Sequence, residues 1–229
     1  MSELYLIRHG QAGSRADYDW LSDTGRLQAR RLGAYFRAQG VRFTAAFCGG
    51  MRRQRETAET VLGELPDAPA LTVDERWNEF NLEGLWEHLA PRLLEEDVGF
   101  AQQYAREHAG NPAAERTITS CDITLIRAWV RGACHPEVES WRDFRARVEA
   151  ARDAVAALPA GSAVAVFTSA TPTGIWCGNA FNLQPRDMLR IAAVLFNSSF
   201  STLRLRPHEL TLQSLNQTPH LDPALRTYR

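Results

Sequence analysis

The run Leu4-Tyr5-Leu6-Ile7, which passes directly into Arg8-His9-Gly10-Gln11, constrains the fold more than any other stretch of the chain. Four apolar residues in succession suit a strand buried on both faces, and such strands belong to mainly parallel sheets covered by helices. In open α/β sheets the ligand crevice lies beyond the carboxyl ends of the strands, so Arg8 and His9 are expected to face it. The residue types suit a phosphate. A guanidinium is a planar, permanently charged fork matched to phosphate oxygens. An imidazole attacks phosphorus only through an unprotonated ring nitrogen, and a neighbouring cation disfavours a second positive charge. Arg8 can thus both bind an anion and keep His9 neutral. For the tripeptide alone, an ordinary strand end followed by a turn serves equally well.

Two further segments repeat the logic of turn and helix start. From Asp17 the chain reads on to Leu21, Ser22, Thr24, Gly25, Gln28 and Ala29, and Phe47-Cys48-Gly49-Gly50 runs into Met51-Arg52-Arg53-Gln54-Arg55-Glu56-Thr57-Ala58. Together these resemble the histidine phosphatase superfamily, the phosphoglycerate mutase-like proteins. Its Arg-His-Gly corresponds to Arg8-His9-Gly10, its "Leu-Thr/Ser-x-x-Gly-x-x-Gln-Ala" to Leu21–Ala29, and its "Ser-x-x-Leu-x-Arg-Ala-x-Gln-Thr-Ala" to Cys48–Ala58. In that register Arg53 falls on the second phosphate arginine, whereas Cys48, Met51, Gln54 and Glu56 depart from the pattern. Arg76-Trp77-Asn78-Glu79-Phe80 looks like the family's "Leu-x-Glu" segment, which makes Glu79 the candidate proton donor, ahead of Glu75 and Glu83. Such an acid must be protonated near neutral pH, which burial beside Trp77 and Phe80 favours. The Glu139-Ser140-Trp141 to Val148 stretch and the Asn216 to Leu221 ending also resemble the family, and His220 reads as a structural histidine.

One departure bears on chemistry. After the strand Ala163–Phe167 the family carries a His-Gly whose histidine stabilises the charged phosphoryl group; here Ser169-Ala170 stands in that place. A subgroup with Thr-Ser at this point and Arg-His-Gly-Gln-Ala at the front is similar. A serine hydroxyl and a helix N-terminus can hydrogen-bond a phosphate oxygen but supply no full charge. Losing one well-placed donor at a developing anion typically lowers a rate by about 10²–10³. His88 and His135 are candidates to replace the missing ring, although solvent exposure is their simpler reading, as it is for His108.

Composition bounds the remainder. A chain of 229 residues, 45% hydrophobic, can bury one substantial core. A net charge of −1 with dispersed basic residues offers no general attraction to nucleic acid. All 26 basic residues are arginine, which excludes a Schiff-base or P-loop lysine. Cys48, Cys121, Cys134 and Cys177 are widely spaced and read as free thiols in a reducing compartment. Cys48 and Arg53 are one residue too close for the loop of a cysteine phosphatase. No signal peptide or membrane span is expected, and the location expected is cytoplasmic.

Alternating strand and helix signals predict a three-layer αβα sandwich with a mainly parallel central sheet. Strands are expected at about 3–8, 43–48, 163–168, 201–206 and 209–215, the last two as an edge hairpin, and helices at about 24–39, 52–63, 137–158 and 172–181. Residues from about 81 to 136, punctuated by Pro91, Asn111-Pro112 and Gly132, are expected as a helical cap inserted into a single domain spanning 1–229.

What the resemblance implies is a phosphomonoester hydrolase acting on a small phosphorylated substrate through a phosphohistidine. His9 is then the nucleophile and Glu79 the acid; Arg8 and Arg53 bind the phosphoryl group, with Ser169, Gln11 and Ser22 as weaker polar contacts. Neither a cofactor nor a metal is expected, because the arginines supply the charge. A phosphoglycerate mutase-type transfer and a degenerate, non-catalytic phospholigand-binding protein stay open. Substrate identity and oligomeric state are not written in these motifs.

Overall fold

A computed structural model describes residues 1–13, 19–109, 118–206 and 209–228; Asp17 and Asn111-Pro112 lie outside them, as does the side chain of His108. The chain divides into two compact units, Met1–Glu79 with Arg147–Arg229, and Phe80–Ala146.

The first unit is built on a six-stranded sheet of order β3-β2-β4-β1-β5-β6. Its strands are β1 (Ser2–Arg8), β2 (Ala45–Cys48), β3 (Leu71–Val73), β4 (Ala163–Thr168), β5 (Phe200–Arg206) and β6 (Glu209–Gln217). The β1–β4, β2–β4 and β2–β3 ladders are parallel, and β1–β5 and β5–β6 are antiparallel. Leu4, Leu6 and Ile7 are fully buried, as expected of a central strand covered on both faces.

Helices α1 (Asp23–Ala38) and α2 (Arg52–Gly63) cover one face. Their Ala29, Leu32, Phe36, Ala58 and Val61 pack with Ile7, Ala46, Ala165 and Phe167 of the strands. The other face takes α9 (Ala170–Asn179), which packs on β1 and β5 and against α10 (Pro185–Val194). The result is the three-layer αβα sandwich with a mainly parallel sheet.

Four expectations need correction. The helix expected over 137–158 is two helices, α7 (Trp141–Ala150) and α8 (Arg152–Ala156), separated at buried Ala151. The helix expected from Pro172 starts at Ala170, because proline is tolerated throughout a first helical turn. The hairpin β5–β6 does close one end of the sheet as expected, with β6 as its edge strand, but β5 has no wet face over its first half, where Phe200 to Leu203 are all buried. Strand β3 and helix α10 were not expected. β3 is three residues long and its Thr72 and Val73 are exposed, so it carries no alternating signal. α10 follows α9 closely and is marked mainly by Pro185 in its first turn, with Met188 and Ala192 on its buried side.

The second unit is helical, with α3 (Leu82–His88), α4 (Ala90–Glu96), α5 (Val98–His108) and α6 (Ser120–Val130). Asn81 and Asp97 cap α3 and α5, and Thr119 with Asp122 forms a capping box on α6. Its core is aromatic: Trp129 lies 4.9 Å from Phe80, 5.5 Å from Phe144 and 5.3 Å from Trp141 between ring centroids. Among the described residues no helix is long and apolar enough to cross a membrane.

Candidate active site

The β1–β4 register pairs Arg8 with Thr168, so His9 and Ser169 follow at the carboxyl ends of adjacent parallel strands. His9 is 2% exposed and its backbone is tied on both sides. Its N–H donates to the Thr168 carbonyl at 3.0 Å, and its own carbonyl accepts from the Ser198 N–H at 3.1 Å and from Asn197 Nδ2 at 3.4 Å. Ser198 reaches that position with a left-handed φ of 60°, and the Ser199 carbonyl accepts from the Arg8 N–H at 3.0 Å.

The ring is oriented by a short local bond. His9 Nδ1 donates to the Gly10 carbonyl at 2.8 Å, because a carbonyl can only accept. In the neutral ring Nε2 is then the unprotonated nitrogen, and Arg53 Nε donates to it at 3.2 Å. Burial, first, and the charges of Arg53 and Arg8 hold the His9 pKa well below the ordinary histidine value.

Arg53 comes from the first turn of α2 and is 6% exposed. Its Nη1 pairs with Asp19 Oδ1 at 2.9 Å. One turn later Thr57 Oγ1 donates to the Arg53 carbonyl at 2.7 Å and accepts from the Gly10 N–H at 3.0 Å, clipping the start of α2 to the residue after His9. Arg8, also buried, directs Nη1 to the Leu195 carbonyl.

Glu79 is half-buried, and its Oε2 accepts from the Thr171 N–H at 3.0 Å, in the first turn of α9. Arg147 Nη1 steadies the approach to it by donating to the carbonyls of Glu75 at 2.9 Å, Arg76 at 3.2 Å and Asn78 at 3.3 Å. The rivals Glu75 and Glu83 are exposed. Ser169, 1% exposed, precedes α9 without capping it, and its Oγ accepts from Gln54 Nε2 at 2.8 Å.

Gln11 and Ser22 sit together. Ser22 caps α1 by accepting from the Gly25 N–H at 3.0 Å, and it donates to Gln11 Oε1 at 2.8 Å. Gly25 is required there: a Cβ would lie 2.1 Å from the Gln11 carbonyl oxygen. His220 lies beneath the loop that holds His9, with Nε2 3.2 Å from Ser198 Oγ and a pKa pushed down by burial to about 4. His88 and His135 stack on each other within the helical unit, 4.9 Å between centroids. Cys48 is buried and its thiol is pushed up to about 11 by burial, unlike a nucleophile's. Among the described residues no three His, Cys, Asp or Glu side chains are grouped to hold a metal ion.

Sequence reasoning did not single out Asp19, Thr57 and Asn197, and it noted Gln54 only as a departure. Gln54 could have been suspected from its place beside Arg53. Asn197 carries no signal, because its role depends on a loop arriving from a distant strand.

A buried histidine flanked by two arginines at the carboxyl ends of a mainly parallel sheet covered on both faces marks an α/β protein with a cationic candidate site. The chain belongs to the histidine phosphatase superfamily (branch 1), whose profile matches residues 4–218. It is 26% identical over 148 residues to the serine/threonine-protein phosphatase Pgam5, mitochondrial, of Caenorhabditis elegans, over 60% of this chain and 52% of that protein, so it spans about half the length of that relative. Among solved structures it resembles the alpha-ribazole phosphatase of Shigella flexneri, with a TM-score of 0.63 at 18% identity over 94% of this chain and 96% of that one. It also resembles the phosphoglycerate mutase of Bacillus anthracis, with a TM-score of 0.61 at 18% identity over 96% and 94%. At that identity the likeness concerns the fold.

Proposed function

We propose that the protein is a phosphomonoester hydrolase that works through a phosphohistidine at His9 on a small phosphorylated substrate. The observation that carries this reading is the His9 ring: Nδ1 is committed to the Gly10 carbonyl, which leaves Nε2 unprotonated, beside Arg53. In the first step Nε2 attacks phosphorus and the bond from phosphorus to the leaving oxygen breaks, while Glu79 gives that oxygen its proton. In the second, the Glu79 carboxylate takes a proton from water and the water oxygen attacks phosphorus. The P–N bond breaks, releasing inorganic phosphate and restoring His9 and the acid. Arg8 and Arg53 bind the phosphoryl oxygens throughout, and Arg53 exchanges its bond to Nε2 for one to phosphate. The free, widely spaced thiols support a reducing compartment, and we place the protein in the cytoplasm.

The test is acid-quench trapping with a 32P-labelled phosphate ester, together with turnover of para-nitrophenyl phosphate. The parent should label at His9, and His9→Ala should lose label and turnover, the latter by about 10³-fold or more. Undiminished turnover in His9→Ala refutes the reading. The presence of Ser169 favours one rival, a non-catalytic phospholigand binder, which would hold the ester and never become labelled. A mutase would label but return the phosphoryl group to a second hydroxyl instead of releasing phosphate.

A further inference from the structure

Two departures from the family pattern, far apart in the chain, meet in space. Gln54 stands where a small residue is expected in α2 and Ser169 where a histidine is expected after β4, and Gln54 Nε2 donates to Ser169 Oγ at 2.8 Å. Gln54 is fully buried. The direction of its amide is dictated by chemistry: Nε2 also reaches the Trp77 carbonyl at 3.1 Å, and a carbonyl accepts only, so the NH₂ end must face both partners. Both Nε2 hydrogens are thereby used. Gln54 Oε1 is left buried without a hydrogen-bond partner among the described residues, lodged where a Cβ on Gly49 would come within 2.0 Å of it. A buried acceptor left unsatisfied is a cost, and the two contacts of the donor end, to Trp77 and Ser169, are what offset it.

For Ser169 the consequence is directional. A serine before a helix ordinarily turns its oxygen back onto the first-turn N–H groups, yet Ser169 makes no capping bond to α9. Its Oγ lone pair is engaged by Gln54, so the hydroxyl hydrogen is turned away from Gln54. The residue lies at the end of β4, beside His9 at the end of β1, with α2 supplying Arg53 to His9 and the next residue, Gln54, to Ser169.

We propose that Gln54 is a positioning residue that aims the Ser169 hydroxyl at a phosphoryl oxygen in transfer to and from His9, the pair together standing where a histidine would otherwise donate. This rests on the phosphohistidine reading above. Ser169 touches the phosphoryl group; Gln54 acts only through Ser169. Because the donor is a neutral hydroxyl, it is ready at any pH at which His9 is neutral.

The experiment is a double-mutant cycle of Gln54→Met and Ser169→Ala, read as the single-turnover rate of His9 labelling and as kcat and KM for para-nitrophenyl phosphate. Ser169→Ala should slow labelling by about 10²-fold, acting on kcat with KM nearly unchanged. Gln54→Met should slow it by roughly tenfold in the parent and leave it within about twofold in the Ser169→Ala background. Effects that multiply instead overturn the positioning role, even if both variants are slow, since a structural defect persists without the serine. Should Gln54→Met fail to fold, Gln54→Asn, whose amide is one methylene too short to reach Ser169, takes its place in the cycle with the same two outcomes; undiminished labelling in Ser169→Ala overturns the proposal in either case. A parent that folds but never labels removes the phosphohistidine reading itself, and the inference with it. A parent that labels while the cycle multiplies removes only the inference.

Discussion

Arg53 Nε approaches His9 Nε2 to 3.2 Å while His9 Nδ1 is held by the Gly10 carbonyl at 2.8 Å. One nitrogen of the ring is therefore assigned its proton by the backbone, and the other is kept bare beside a cation. Burial adds to this, since a desolvated imidazolium flanked by Arg53 and Arg8 is doubly disfavoured.

The protonation state of His9 should respond to Arg53. In the parent, the His9 ring is expected to stay neutral through the pH range where an exposed histidine titrates, as followed by its Cε1 NMR signal. Arg53→Gln removes the neighbouring charge that acts more strongly on the ring, so the pKa should rise while burial keeps it below the ordinary value. An unmoved signal shows that the adjacent charge does not govern the ring.

Asp19 occupies Arg53 Nη1 at 2.9 Å with a side chain that is 54% exposed. If Arg53 binds phosphate as proposed, the arriving anion competes with that carboxylate. Asp19→Asn should tighten inhibition by inorganic phosphate two- to fivefold, the range of roughly 1 kcal/mol or less that an exposed ion pair is worth. A weaker phosphate Ki in the variant means that Asp19 helps to hold Arg53 for its ligand instead of competing.

Thr57 joins Gly10 to the start of α2 through one hydroxyl. Thr57→Val keeps the shape and leaves the Gly10 N–H without that acceptor, which costs about 1–3 kcal/mol. Thermal unfolding should fall by several degrees, and labelling of His9 should slow because Gly10 carries the carbonyl that orients the ring. Full labelling in a destabilised protein would separate the clip from the chemistry.

Acid should loosen the His9 loop through His220. Its folded pKa of about 4 lies below the ordinary 6.5, so the unfolded chain binds the extra proton between those values. The stability gained by keeping the ring neutral is complete above pH 6.5 and is lost as pH falls towards 4, by about 3 kcal/mol in all. His220→Phe preserves packing near Tyr35 and Phe200 and should flatten the stability curve over that interval in urea titrations. An unchanged slope assigns the acid sensitivity to other groups.

Much of the sheet was legible because its strands announce themselves. Leu4–Ile7 and Ala163–Phe167 are apolar throughout, and Arg8, His9 and Ser169 follow directly at their ends. The burial of β5 was hidden, since Ser201 and Thr202 look like a wet face and are buried only because neighbouring elements cover them. Strand β3 was hidden because three residues hold no periodicity.

By itself, the order of residues determined the α/β alternation and the positions of His9, Arg8, Arg53 and Glu79 along the chain, because strand burial, turn glycines and helix starts are local properties. Tertiary structure alone decided which hydrogen-bond donor meets which acceptor. The Arg53 contact with His9 spans 44 residues and the Gln54 contact with Ser169 spans 115, so no local pattern records them. They exist because parallel strands end at one edge, where α2 delivers successive side chains to neighbouring strand ends.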